Sequence, residues 1–141
     1  KRLKSLVRRL DLESSVVFEL WQDDLTSYFK TANLFLLTSK YEGYGMTLVE
    51  SIIAHCPVVS TDVGVASELL NTNSGSFICP VGDADCFFNK VSDLVQNAGL
   101  RENLVHEAHN KLNQVLVSDK QKYLRLYQAS LESALRQKSD R

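Results

Sequence analysis

Excess charge of one sign, long apolar runs and paired cysteines are all missing from this chain, and each absence removes a class of function. Its 16 Lys and Arg residues face 17 Asp and Glu, for a formal net charge of −1. No bulk field draws it to nucleic acid or to an anionic membrane. No apolar stretch is long enough to cross a bilayer, and no signal-peptide pattern is visible. The three cysteines, Cys56, Cys79 and Cys86, make no metal spacing and no even disulfide set, so they read as core or near-core thiols. A reducing compartment is the default, and cytoplasm the expectation. His55, His106 and His109 show no ligand spacing with a carboxylate or thiol, so no metal is expected. Repeats, low-complexity stretches and linkers are also lacking. The chain opens at Lys1 on a helical pattern, whereas a parallel α/β domain normally opens with a strand. It therefore reads as a piece of a longer protein.

What is present suffices for one domain over residues 1–141. The chain is 44% hydrophobic and 23% charged, ordinary values for a soluble globular protein. Helical and strand patterns alternate along it. Residues 2–10 read as a helix, 15–19 (Ser-Val-Val-Phe-Glu) as a strand, and 24–31 as a helix capped by Asp23 or Asp24. Residues 34–38 read as a strand buried on both faces, 46–54 as a helix and 57–61 as a strand, with Pro57 first, where no ladder N–H is lost. A short helix over 66–70, a turn over 71–75 and a short strand over 76–79 follow. Helices over 83–96, 101–115 and 120–136 close the chain. Strands separated by helices imply an α/β, Rossmann-like, mostly parallel sheet with flanking helices and a C-terminal helical segment.

The functional signal lies between the second strand and the next helix. There the chain reads Tyr41-Glu42-Gly43-Tyr44-Gly45-Met46-Thr47-Leu48-Val49-Glu50, with seven residues between the two glutamates. Strand, glycine turn and helix together aim free backbone N–H groups at an anion. Gly43 and Gly45 carry no Cβ, so the backbone can approach a ligand closely. The N–H groups of Gly45, Met46 and Thr47 belong to the helix start, where partners are lacking and about half a positive charge resides. Phosphate is the natural guest. Glu50 lies one turn beyond Met46, about 5.4 Å along the helix, where a carboxylate can accept from a ribose diol. Glu42 would lie on the other side of the phosphate. A tight turn with both glutamates merely solvated is the bland alternative for a lone glycine pair.

The flanking residues tip that balance. Phe35-Leu36-Leu37-Thr38-Ser39, then Glu42 to Met46, Glu50, Pro57-Val58-Val59, Thr61-Asp62-Val63-Gly64 and Glu68 resemble the donor-binding domain of glycosyltransferase family 4. The resemblance runs from about Val16 to the final helix. It implies the C-terminal donor domain of a two-domain GT-B fold, truncated at its N-terminus, from a retaining, metal-independent transferase without a cofactor. By position, Glu42 would face the transferred sugar near its anomeric carbon. Gly43, Tyr44, Gly45, Met46 and Thr47 would form the donor cradle, and Glu50 would hold the ribose. The implied partners are a UDP-, GDP- or ADP-sugar and an N-terminal acceptor domain not contained in this chain. Nucleic acid is not among them, while peripheral membrane attachment of the full enzyme is compatible with the family. The chain alone is expected to bind nucleotide and transfer nothing.

The sequence departs from the family pattern in places. The family's diphosphate-binding Arg and Lys would precede Lys1. His55 stands where a Gly usually ends the helix, and Val65 replaces the second Gly after Asp62. Lys40 reads as a solvated loop residue. Trp21 reads as a packing residue more readily than as a platform for the base. Lys1, Arg2, Lys4, Arg8 and Arg9 read as a solvated helix face, and Leu124, Tyr127, Leu131 and Leu135 as a packing stripe. Rival functions are a non-catalytic nucleotide-binding Rossmann-like module, an epimerase or phosphorylase of the same fold, and a flavodoxin-like signalling domain. The phosphorylase lacks a candidate cofactor lysine, and the signalling domain lacks an acidic pocket.

Overall fold

In a computed structural model of the chain, residues 2–116 and 120–139 are described. The element order is α1 (Arg2–Arg9), α2 (Leu25–Thr31), β1 (Phe35–Leu37), α3 (Met46–Ile53), β2 (Val58–Thr61), α4 (Ala66–Leu70), β3 (Asn71–Thr72), β4 (Gly75–Ser76), β5 (Ile78–Cys79), α5 (Ala84–Gln96), α6 (Ala98–Val115) and α7 (Lys120–Ser139). A parallel three-stranded sheet runs β1-β2-β5, and β3 and β4 form a separate antiparallel hairpin. Phe35 pairs with Val58 and Thr61 with Cys79, so all three carboxyl ends share one edge.

The central strand carries the core. All four residues of β2 are buried, two of them Val, as a strand covered on both faces requires. Leu48 and Ile52 of α3, Leu69 and Leu70 of α4, Leu94 of α5, and Leu104, Ala108 and Leu112 of α6 close around it. Helix starts follow local capping chemistry: Asp24, Asp83 and Asn97 accept from the N–H groups of Ser27, Cys86 and Leu100. The Ser27 hydroxyl and N–H hold the Asp24 carboxyl below its usual range. At the end of α3, His55 takes φ 58°, so an imidazole occupies the left-handed position that glycine usually fills.

Several expectations are corrected. Residues 15–19 form no strand. They run through a turn into exposed chain, with Val17 78%, Leu20 87% and Trp21 88% accessible. A strand needs a ladder partner, and among the described residues none lies beside this segment. β1 is an edge strand, not one buried on both faces, and Leu36 faces outward. Residues 76–79 are two elements: Ser76 closes the hairpin, while Ile78 and Cys79 join the sheet. The cysteines do pair: Cys79 at the end of β5 bonds Cys86 in the first turn of α5, with Cα atoms 5.8 Å apart. Seven residues of spacing carry no disulfide signal; the return of α5 over β5 does. Cys56 remains a free buried thiol, and burial pushes its pKa up.

Trp21 is not a packing residue: its indole N–H donates to Asp23 at 2.9 Å over exposed chain. The stripe on α7 is likewise exposed at Leu124, Tyr127 and Leu131, and the side chain of Leu135 lies outside the described residues, as does Lys1. Lys40 is solvated, as expected. No helix among the described residues is long and apolar enough to cross a membrane.

Candidate functional site

β1 stops at Leu37 and α3 starts at Met46, and the loop between them forms the carboxyl edge of the sheet. Gly45 is the N-cap of α3 with φ 90° and ψ 52°, a left-handed conformation open to glycine at no steric cost. It offers no side-chain cap. Its carbonyl accepts from Leu48 and Val49, while no hydrogen bond among the described residues takes the N–H groups of Met46 and Thr47. The helix therefore starts with free donors on an accessible edge, the geometry that favours an anion. Gly43 has ordinary φ and open space around its absent Cβ, so the turn itself does not require glycine there.

The second loop of the edge is clamped to the first. Val65 donates its N–H to the Tyr44 carbonyl at 3.0 Å. Gly64, at φ 54°, lies so close that a Cβ on it would meet Tyr44 O at 2.3 Å and Tyr44 C at 2.6 Å. These are backbone atoms and cannot swing aside. Gly64 is thus the residue that lets the loop after β2 press on the Tyr44–Gly45 turn. The edge is extended past β5 by a groove of about 290 Å³ lined by Thr38, Thr61, Gly82, Asp83, Ala84 and Phe87.

The two glutamates differ in setting. Glu42 is half-buried, and one carboxylate oxygen accepts from the Ser39 hydroxyl at 2.7 Å. Glu50 is exposed on α3, four residues beyond Met46. Glu42, Gly43, Tyr44, Gly45, Met46 and Thr47 therefore share one loop–helix junction, with Glu50 one turn along the same helix. Among the described residues, no buried side-chain N or O lacks a partner. Ser39, Thr61 and Gly64, which the sequence marks only as part of the family resemblance, also shape the edge. A Ser three residues before a Glu was the available signal for Ser39, since that spacing lets a hydroxyl reach a carboxylate within one bend.

A further groove, of about 420 Å³, lies elsewhere, at the amino ends of β1 and β2. His55, His106 and His109 line it with Arg101 and Glu102, and the rings of His55 and His109 stack 4.5 Å apart. Among the described residues no group of three or more His, Cys, Asp or Glu is placed to hold a metal ion.

Comparison with known proteins agrees with this architecture. The family model for glycosyl transferases group 1 matches residues 1–111. N-acetyl-alpha-D-glucosaminyl L-malate synthase of Bacillus anthracis is 27% identical over 115 residues, covering 82% of this chain and 30% of that protein. Among solved structures, Anabaena HepE in complex with UDP superposes with a TM-score of 0.79 at 22% identity, over 94% of this chain and 36% of that one. Sucrose-phosphate synthase from Thermosynechococcus elongatus gives 0.74 at 22% identity, over 95% and 33%. At such identities the structural likeness establishes the fold, that of a GT-B glycosyltransferase domain. The chain spans about a third of the length of these relatives, 30 to 36%.

Proposed function

This chain belongs to the glycosyl transferases group 1 family, and from that premise we propose that it is the donor-binding part of a retaining transferase that moves a sugar from a nucleoside diphosphate to a glycan, lipid-linked or small acceptor. One observation carries the reading: the uncapped start of α3, with free N–H groups at Met46 and Thr47, stands between Glu42 and Glu50 on the carboxyl edge of the sheet. HepE was solved with UDP bound, which supports a nucleotide guest on this fold.

In this reading the diphosphate lies against the α3 N-terminus, the ribose hydroxyls donate to Glu50, and the sugar's anomeric carbon faces Glu42. As the glycosidic bond breaks, positive charge develops on the sugar ring and negative charge on the leaving diphosphate. The Gly45, Met46 and Thr47 N–H groups meet the latter. Preorganised donors of that kind contribute about 3 kcal/mol each to the transition state. Glu42 stabilises the ring by charge and holds it for attack from the face the nucleotide leaves, which retains configuration. Metal independence belongs to the same proposal, as does a cytoplasmic location, although the Cys79–Cys86 disulfide is of a kind rare in that compartment. The acceptor is held by a second domain, so this chain alone binds donor and transfers nothing.

Calorimetric titration of the chain with UDP, GDP and ADP tests the reading. One nucleotide should bind selectively, and Glu50→Ala should weaken it by ~1.5–3 kcal/mol, the worth of a charged hydrogen bond. Binding that is indifferent to Glu50→Ala would remove the ribose assignment.

A further inference from the structure

Glu42 can steer a sugar only if its carboxylate is held still, and a glutamate in a loop has three rotatable bonds with which to wander. The tertiary structure supplies two fixed points. Thr61, in the central strand β2 and 3% exposed, donates its hydroxyl to the Ser39 carbonyl at 2.6 Å and reaches the Leu37 carbonyl at 3.3 Å. The end of β1 is thereby tied to the most buried strand of the fold. From that anchored residue, the Ser39 hydroxyl donates to Glu42 Oε1 at 2.7 Å. The other oxygen of Glu42 is left without a partner among the described residues.

The choice of donor matters chemically. A lysine or arginine at this distance would hold the carboxylate and cancel most of its charge. A hydroxyl orients it and leaves the charge in place. Lys40, the adjacent cation, is exposed. The bond spans three residues at a partly buried surface, where a Ser–Glu hydrogen bond adds little to stability, so its larger effect is on where the carboxylate points.

We propose that Ser39, anchored through its backbone by Thr61, is a positioning residue that aims the charged Glu42 at the anomeric carbon of the bound donor. The proposal rests on the sugar-facing role assigned to Glu42 above.

The test is a double-mutant cycle in the full-length transferase, followed by nucleotide release from UDP-glucose, UDP-N-acetylglucosamine, GDP-mannose and ADP-glucose, with thermal melting as a check on folding. Ser39→Ala should lower kcat roughly tenfold, the value of one hydrogen bond to a charged group, with donor KM within about twofold. Ser39→Thr, which keeps the hydroxyl, should recover most of the rate. In a Glu42→Gln background, Ser39→Ala should cost nothing further, because the group it aims has lost its charge. An unchanged kcat for Ser39→Ala beside an impaired Glu42→Gln would overturn the positioning role alone. Multiplicative losses in the double variant would overturn it too, by showing that Ser39 acts through something else. A fully active Glu42→Gln, or a wild type that cleaves none of the four donors, would instead remove the role given to Glu42 and this inference with it.

Discussion

α1 and α3 are both helices of eight residues, and they behave in opposite ways. α1 has the more sharply segregated apolar face, with Leu3, Leu6 and Val7 on one side and Arg2, Lys4, Arg8 and Arg9 around it. It buries nothing: Leu3 is 66% exposed. α3 sets Met46, Leu48, Val49, Ile52 and Ile53 on one side and Thr47, Glu50 and Ser51 on the other, and it buries Leu48, Val49, Ser51 and Ile52 against β2, α2 and α6. Segregation thus tells which face of a helix is available, while burial depends on whether a second surface meets it. The free donors of the candidate site occur on the helix that the core holds rigid, which is where precise placement is possible.

The comparison can be broken by truncating one side chain in each helix. The largest effect should come from Leu48→Ala, which opens a cavity under a fully buried residue. A loss of ~2.7–5 kcal/mol is expected in urea denaturation. A cost below 1 kcal/mol would show that α3 is not held by the core. Next comes Gly64→Ala. A left-handed alanine costs ~1–2 kcal/mol by itself, and the new Cβ must displace the Tyr44–Gly45 backbone. Denaturation should show at least that loss, and nucleotide titration should show weakened binding. Full affinity would mean that the loop after β2 does not set the turn.

A smaller effect separates the hairpin from the site. The β3–β4 turn is tied to α6 by Glu107, which accepts from the N–H of Ser74 at 3.0 Å and from its hydroxyl at 2.9 Å. The Ser74 N–H, first among the causes, holds the Glu107 carboxyl below its ordinary 4.5. The unfolded chain therefore takes up this proton first as pH falls. The stabilisation is complete above about 4.5 and is lost as pH drops through the folded value. Glu107→Gln should flatten the decline in melting temperature as pH falls below about 4.5, where the unfolded chain takes up this proton before the folded one does. An unaltered slope would assign acid sensitivity elsewhere, with Asp24 the first place to look. The smallest effect should be Leu6→Ala in α1, within about 0.5 kcal/mol, as for other substitutions away from packed features. A cost comparable to Leu48→Ala would show that α1 docks on the folded domain in solution.

Much of the fold was legible because local chemistry and fold agree where the chain is packed. Asp24 caps α2 as its residue type indicates, β2 falls on the Val-Val run, and α4 spans the five residues its pattern indicates, whereas α6, expected from 101, starts at Ala98 behind an Asn97 cap. The candidate site was legible for the same reason. Its donors are backbone groups of one strand–turn–helix segment, so residues adjacent in sequence are adjacent in space.

What failed was whatever depended on a distant surface. Residues 15–19 have strand composition but no strand beside them, and Trp21 has the bulk of a core residue but no core within reach. The sequence by itself determined most of the helices, the strands within 34–38 and 57–61, the glycine turn and the order of the two glutamates, because each follows from dihedral preference, capping or period over a few residues. Only the tertiary structure decided that Cys79 meets Cys86, that Gly64 presses on Tyr44, and that Thr61 reaches Ser39 across 22 positions. Those contacts join segments whose approach is set by how the helices pack on the sheet, and no local preference encodes that distance.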